Sequence, residues 1–447
     1  MSFEAVRSYG RHILQPLGLF SSDKKQTQPR TQLLPPTTSK LWQSSTHTFF
    51  GAANRVSPAA WPATRFHEDA NKIPFDTKYD KIYDPQTANV RQAASTTNSN
   101  DADYWLYERE AGRGGNETDD IVPQPILVVK RYIPTTNKAK GPGITLFILP
   151  GMGVPKEMFE PMLEVMLPIL ASANVVVDEI WSLDMPMSGE TALANPPSYL
   201  YGNEKDIARD VLHFITAYLP VKAQKELPER LEYRAPKPSG RQESRENLHV
   251  IAHSMGAQSS ILAAAHAPEL FSSLTIFDPA IIPPGKILEG FTKLPNDVFC
   301  TLIPEHVQSR DALREIVGKN KRTNGWDKRA VEMYVKRGTI EDEERGGFKL
   351  TSPPRLEWAL YYDKETCVHA FDRLQDLQIP LNAIMPSRPF ATPPKLFEKV
   401  FNALPQEKRL VWMPNTTHQL VFERIDDCAH NVCEWLKVRS SGSKSHL

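Results

Sequence analysis

The segment that most constrains this chain is His249-Val250-Ile251-Ala252-His253-Ser254-Met255-Gly256-Ala257. It joins the β-branched apolar run Leu248 to Ala252 to an Ala-rich helical stretch, Gln258 to His266. A strand that becomes a helix within x-H-S-x-G must turn sharply, and small residues on both sides of the Ser permit it. Such a turn lifts the Ser254 hydroxyl out at the carboxyl edge of a sheet. Ala252 stands where Gly is usual, and one methyl is tolerable there. His253 lies beside the Ser, but adjacent side chains in such a turn diverge, so it reads as structural.

The turn needs a sheet around it, and from Ile126 onward short apolar runs alternate with helix-like segments. The runs are Ile126 to Ile133, Ile144 to Leu149, Val175 to Trp181, Leu248 to Ala252, Leu274 to Phe277, Leu381 to Met385 and Leu410 to Met413. That alternation predicts an α/β fold with a mainly parallel sheet flanked by helices. A helix fits Glu204 to Leu219, with Ile207, Val211, Phe214, Ile215 and Tyr218 on one face and a stop at Pro220. Val221 to Asn247 reads as a charged surface excursion. Pro283 to Tyr362, mostly helical in pattern, separates two core strands and reads as an inserted lid.

The expected organisation is therefore a largely disordered tail over 1–100, core over 101–282, helical lid over 283–370, core again over 371–437, and a flexible tail over 438–447. The tail assignment rests on a Ser-, Thr-, Asn- and Pro-rich composition with no sustained apolar period. Hydrophobic residues make up 40% of the 447, enough for a packed core. The 53 basic side chains match 53 acidic ones, so net charge does not point to nucleic acid. No apolar run reaches the roughly 18 residues that a spanning helix needs. Cys300, Cys367, Cys428 and Cys433 lack paired CxxC spacing and read as reduced, buried thiols; no metal or cofactor is implied.

A Ser hydroxyl is a poor nucleophile until a base takes its proton and a third group orients that base. His418, in Met413-Pro414-Asn415-Thr416-Thr417-His418, follows the last strand-like run and is the candidate base. The orienting acid is less direct, because the segment after the penultimate run, Pro386-Ser387-Arg388-Pro389-Phe390, carries no carboxylate. Asp278, closing the run after the Ser254 helix, keeps the order nucleophile, acid, base; Glu398 is the other candidate. Acyl transfer also needs donors aimed at the developing oxyanion. The amides of Met255 and of Met152, in Leu149-Pro150-Gly151-Met152-Gly153, are the candidates.

Together these residues resemble the α/β-hydrolase superfamily. The segment Asp178 to Glu190, the acid at Asp278, and Trp326-Asp327 and Tyr334 before Gly338 look like a fungal peroxisomal group. That group includes yeast peroxisomal lipase, toxin-biosynthesis hydrolases and the acyl-CoA hydrolase of mycophenolic acid biosynthesis. The likeness covers roughly residues 100 to 437; the long amino-terminal segment and Ala252 depart from it. It implies an esterase, lipase or acyl-CoA thioesterase with Ser254, Asp278 and His418 at the triad positions.

The chain ends in Ser445-His446-Leu447, a conservative variant of the S-K-L tripeptide read by the peroxisomal import receptor. A competing address is the basic, weakly amphipathic stretch Ala5 to Leu14, within a first 50 residues holding six Lys/Arg against two acids, which resembles a mitochondrial leader. A cytoplasmic location is the remaining alternative. In the lid, Trp326, Tyr334, Trp358, Tyr361 and Tyr362 suit a hydrophobic acyl chain or the lid's own core. Seven basic residues between Lys319 and Arg337 suit the phosphates of a coenzyme A thioester or a solvated helix face. Beside the serine hydrolase stand two other classes: a non-catalytic protein of this fold and a lyase or isomerase using the same pocket.

Overall fold

The computed structural model describes residues 33–35, 37–52, 124–135, 143–195, 204–234, 243–283, 303–352 and 364–442. An eight-stranded sheet runs through the molecule in the order β1-β2-β4-β3-β5-β6-β10-β11. These strands are Trp42–Phe50, Ile126–Pro134, Val177–Leu183, Ile144–Leu149, Leu248–His253, Ser273–Phe277, Leu381–Pro386 and Lys408–Met413. Pairing is parallel from β4 to β11, while β2 is antiparallel to both β1 and β4. Each expected apolar run is a strand of this sheet.

The central strands are apolar throughout because both faces are covered, and successive side chains serve opposite layers. In β3, Phe147 and Leu149 join one core while Leu146 and Ile148 join the other. The first layer contains α3 (Glu204–His213), α4 (Met255–His266), α7 (Lys364–Arg373) and α8 (Pro394–Ala403), numbered in chain order. The second contains α1 (Glu160–Ser172) and α10 (Ile425–Gly442), which pack on each other. Helix α3 continues, as the apolar spacing predicts, into one wider π turn, Phe214–Tyr218. There Phe214 packs against Phe49, Phe147 and Trp181.

Three expectations about organisation are corrected. Trp42–Phe50, expected within a disordered tail, is an edge strand in full register with β2, from Trp42 opposite Pro134 to Phe50 opposite Ile126. Its middle, Gln43 to Thr48, is polar because the surface excursion caps its outer edge: Thr48 N–H donates to the Glu229 carbonyl at 2.7 Å and Leu231 N–H to the Thr48 carbonyl at 2.9 Å. His47 is buried beneath the excursion, with Nδ1 2.7 Å from the Pro228 carbonyl oxygen. The lid boundary at 370 falls inside helix α7, which packs on α4 and belongs to the core. At the other end, the expected flexible tail from 438 begins as helix, since α10 runs to Gly442, with Arg439 over the Trp435 ring at 4.9 Å.

Residues 303–352 are mixed rather than mostly helical. Helices α5 (Arg310–Lys319) and α6 (Lys328–Arg337) accompany a small antiparallel sheet of β7 (His306–Val307), β9 (Phe348–Leu350) and β8 (Thr339–Glu341). Among the described residues no helix is long and apolar enough to cross a membrane. Cys367, Cys428 and Cys433 are buried thiols outside any disulfide, and burial pushes the Cys433 thiol up to about 12. Cys300 lies outside the described residues.

Candidate active site

Ser254 sits between β5 and α4 with φ 55° and ψ −119°, a backbone region that side chains rarely adopt. Two neighbouring contacts hold it there: its N–H donates to the Phe277 carbonyl and its carbonyl accepts from Ala280 N–H, both at 3.1 Å. Gly256 is required by close approach, since a Cβ there would lie 2.3 Å from the Leu149 carbonyl oxygen. Ala252 is fully buried in β5, paired with Leu149 and Ile276, so its methyl packs in the core. The turn therefore has no need of Gly at that position.

His418 lies in the loop after β11, and the structure brings its ring to Ser254 and Asp278. Nε2 is 2.8 Å from Ser254 Oγ and Nδ1 is 2.7 Å from Asp278 Oδ2. Because the carboxylate only accepts, Nδ1 carries the hydrogen in the neutral ring, leaving the Nε2 lone pair toward the hydroxyl. Asp278 is buried directly after β6, at φ 33°. Glu398 is placed on α8, half-buried, and is not the acid bonded to His418.

The segment after β10, which carries no carboxylate, holds Asp278 and His418 in place. Phe390 N–H donates to Asp278 Oδ2 at 2.9 Å, and the Phe390 ring lies 4.8 Å from the His418 ring. Ser387 Oγ both donates to the Thr416 carbonyl and accepts from Thr416 N–H, each at 3.2 Å. Glu423 secures the next residue, accepting from Thr417 N–H at 2.8 Å. None of these partners was singled out from sequence. Only the coincidence of a Pro- and Ser-rich loop with the penultimate strand end hinted at them.

The loop Pro150 to Gly153 passes against Ser254: a Cβ on Gly151 would lie 3.1 Å from Ser254 Cβ. Met152 is half-buried in this loop and Met255 opens α4, where the first amides of a helix lack intrahelical acceptors. Beneath the loop runs a buried charge network. Lys156 Nζ donates to Asp184 Oδ2 at 2.8 Å and to Glu190, while Lys156 N–H donates to Asp184 Oδ1 at 2.8 Å. Lys130 bonds Glu160 at 2.9 Å and Thr37 Oγ1 at 2.7 Å. Burial, reinforced by Glu157 and Glu190 against the pull of Lys156, pushes the Asp184 carboxyl up to about 7. Burial opposes the charge on Lys156, but Asp184, Glu157 and Glu190 outweigh it and raise its pKa.

Trp326 and Tyr334 are buried and meet edge-on at 5.6 Å, with Trp326 5.0 Å from Phe422. They belong to the same buried core as Phe422, in the short helix Leu420–Glu423 that follows His418. Trp358, Tyr361 and Tyr362 lie outside the described residues. Of the seven cations between Lys319 and Arg337, Arg329 pairs with Asp327 and Asp426, Lys319 with Glu315, and buried Arg337 donates to the Pro35 carbonyl at 2.6 Å. Those three are engaged within the protein.

No family profile matches the sequence, and no curated protein matches it. Solved structures do. The peroxisomal α/β-hydrolase Lpx1 of Saccharomyces cerevisiae matches with a TM-score of 0.59 and 15% identity, over 90% of this chain and 91% of that one. An E-2-(acetamidomethylene)succinate hydrolase matches over 70% of this chain and 95% of its own, with a TM-score of 0.49 and 15% identity. An esterase of Thermogutta terrifontis matches over 70% and 94%, with a TM-score of 0.42 and 13% identity. With the parallel sheet, its covering helices and the strand-turn-helix at Ser254, the near-complete overlap with the first of these shows that the chain has the α/β-hydrolase fold.

Proposed function

We propose that this protein is a serine hydrolase that cleaves a hydrophobic ester or an acyl-CoA thioester through an acyl-enzyme, and that it works in peroxisomes. The observation that carries the reading is the chain of contacts from Ser254 Oγ to His418 Nε2 and from His418 Nδ1 to Asp278 Oδ2, at 2.8 and 2.7 Å. In this reading Ser254 Oγ attacks the acyl carbon as its proton passes to His418 Nε2, and Asp278 stabilises the resulting imidazolium. The amides of Met152 and Met255 hold the oxyanion. Collapse expels the alcohol or thiol, which takes the proton from His418; water then attacks the acyl carbon as its proton passes to the same nitrogen, and the acid leaves as the bond to Ser254 Oγ breaks and that oxygen takes the proton back.

Residues 283–370 are assigned to the cover over this site, except for helix α7, which belongs to the core. The peroxisomal address rests on Ser445-His446-Leu447, outside the described residues, recognised by the import receptor. The Saccharomyces hydrolase with which the fold overlaps is itself peroxisomal, which supports it.

One labelling experiment tests activity and address together. Cells expressing the intact chain should yield a fluorophosphonate-labelled band of 50.5 kDa in the peroxisomal fraction. The band should vanish in Ser254→Ala, with hydrolysis falling on the order of 10⁶-fold if the three residues act as a unit. It should move to the cytosolic fraction when Ser445 to Leu447 are deleted. An unlabelled wild-type chain would favour a non-catalytic protein of this fold, and mitochondrial labelling would favour the basic leader.

A further inference from the structure

The residue preceding the nucleophile is not used by the mechanism above, yet its contacts reach both halves of the site. His253 ends β5 with its side chain 2% exposed. Its Nε2 lies 2.8 Å from the backbone carbonyl oxygen of His418, 165 residues further along the chain. A carbonyl cannot donate, so the hydrogen is on Nε2 and the neutral ring's Nδ1 is bare. Nδ1 has no hydrogen-bond partner among the described residues and faces the backbone of Gly151, where a Cβ would lie 2.9 Å away. The ring also lies 4.9 Å from the His418 ring and 5.7 Å from Phe422.

His253 thus spans the gap between the Gly151 loop and the His418 loop. Burial holds its pKa well below the usual range, and the charge of His418 acts in the same direction. A neutral neighbour matters here, because a second imidazolium at this distance would oppose the charge that His418 acquires during proton transfer.

We propose that His253 is a positioning residue: its Nε2–H grips the His418 carbonyl and sets where the base stands relative to Ser254. The inference rests on Ser254 and His418 acting as nucleophile and base. An error of about 1 Å in such an alignment costs on the order of 10²-fold in rate. Contacts to the reacting group itself are left intact, so the loss should fall on the chemical step and not on binding.

The isosteric relation between imidazole and the two carboxamides supplies the test. Gln places its amide nitrogen near the position of Nε2; Asn reaches only as far as Nδ1; Phe keeps the ring and removes the donor. With a fluorophosphonate as probe, His253→Phe and His253→Asn should lower the limiting labelling rate constant on the order of 10²-fold, leaving the half-saturating concentration unchanged. His253→Gln should restore most of the rate. Melting temperatures of all four proteins identify any variant that fails to fold, and the Asn and Gln pair decides the matter if Phe is not tolerated.

Equal labelling rates in folded Asn and Gln variants would overturn the inference, as would a loss confined to the half-saturating concentration. Failure of the wild-type chain to label at all would instead overturn the serine-hydrolase reading.

Discussion

At Ser254 the backbone is held at a positive φ by a carbonyl on one side and an amide on the other, and the hydroxyl meets His418 because of that conformation. The same economy applies to Asp278. Asp278 Oδ2 accepts from both His418 Nδ1 and Phe390 N–H, so its oxygen is fixed before any substrate arrives. Asp278→Asn should leave folding intact but lower turnover roughly 10⁴-fold, because an amide favours the wrong imidazole tautomer. Glu398→Gln should leave turnover unchanged. Steady-state hydrolysis of a short-chain ester by the two variants checks this, and the reverse pattern would move the acid to α8. The residue types at 254, 278 and 418 were legible in the sequence from their order and their places at strand ends. Phe390, Ser387 and His253 were not, because each of their contacts has a backbone amide or carbonyl at one end, which any residue presents.

Between elements, the largest unanticipated feature is the buried network around Lys156. It joins β2 through Lys130, the start of α1 through Glu160, the end of β4 through Asp184 and α2 (Gly189–Ala194) through Glu190. The amino-terminal segment enters through Thr37 Oγ1, which donates to Glu160 at 2.7 Å, and Arg337 of α6 reaches Pro35 beside it. Ion pairs without solvent cost about as much to desolvate as they return, but removing one partner strands the others. Lys156→Met should therefore destabilise the protein by about 3–5 kcal/mol, read as a lower urea midpoint with an unchanged m-value. A midpoint within error of the wild type would mean that the carboxyls there are already neutral. No local pattern announces this network, since Lys and Glu in a sequence ordinarily mark the surface.

Over the whole molecule, buried imidazoles set the response to acid. Burial holds His47, His249 and His253 below their ordinary value, with His249 pushed down to about 4. The unfolded chain takes up protons at these rings below about pH 6.5 while the folded one does not. Their contribution is thus complete above pH 6.5 and is lost as pH falls; His249 alone accounts for about 3 kcal/mol. The raised Asp184 carboxyl works in the opposite sense, contributing below its unfolded pKa and losing that contribution as pH rises through about 7. Among the described residues three lowered rings stand against the raised carboxyls of Asp184 and Asp178, so the urea midpoint should fall between pH 7 and pH 5, and His249→Gln should reduce that fall. A midpoint that rises on acidification would show that the carboxyls dominate.

The sequence by itself determined the sheet and the order of groups along it. Strands buried on both faces have to be apolar throughout, and a Ser at a strand-to-helix turn needs small neighbours such as Gly256. These are local demands, and local composition records them. Only the tertiary structure decided that the polar stretch within Trp42–Phe50 forms a strand, since its partners β2 and the 221–247 excursion cover it from afar. The choice of Asp278 was likewise spatial, because Phe390 and His418 converge on one carboxylate oxygen from loops 28 residues apart. Contacts between distant segments are made by whichever backbone amides and carbonyls the fold brings together, and backbone groups leave no mark in the amino-acid order.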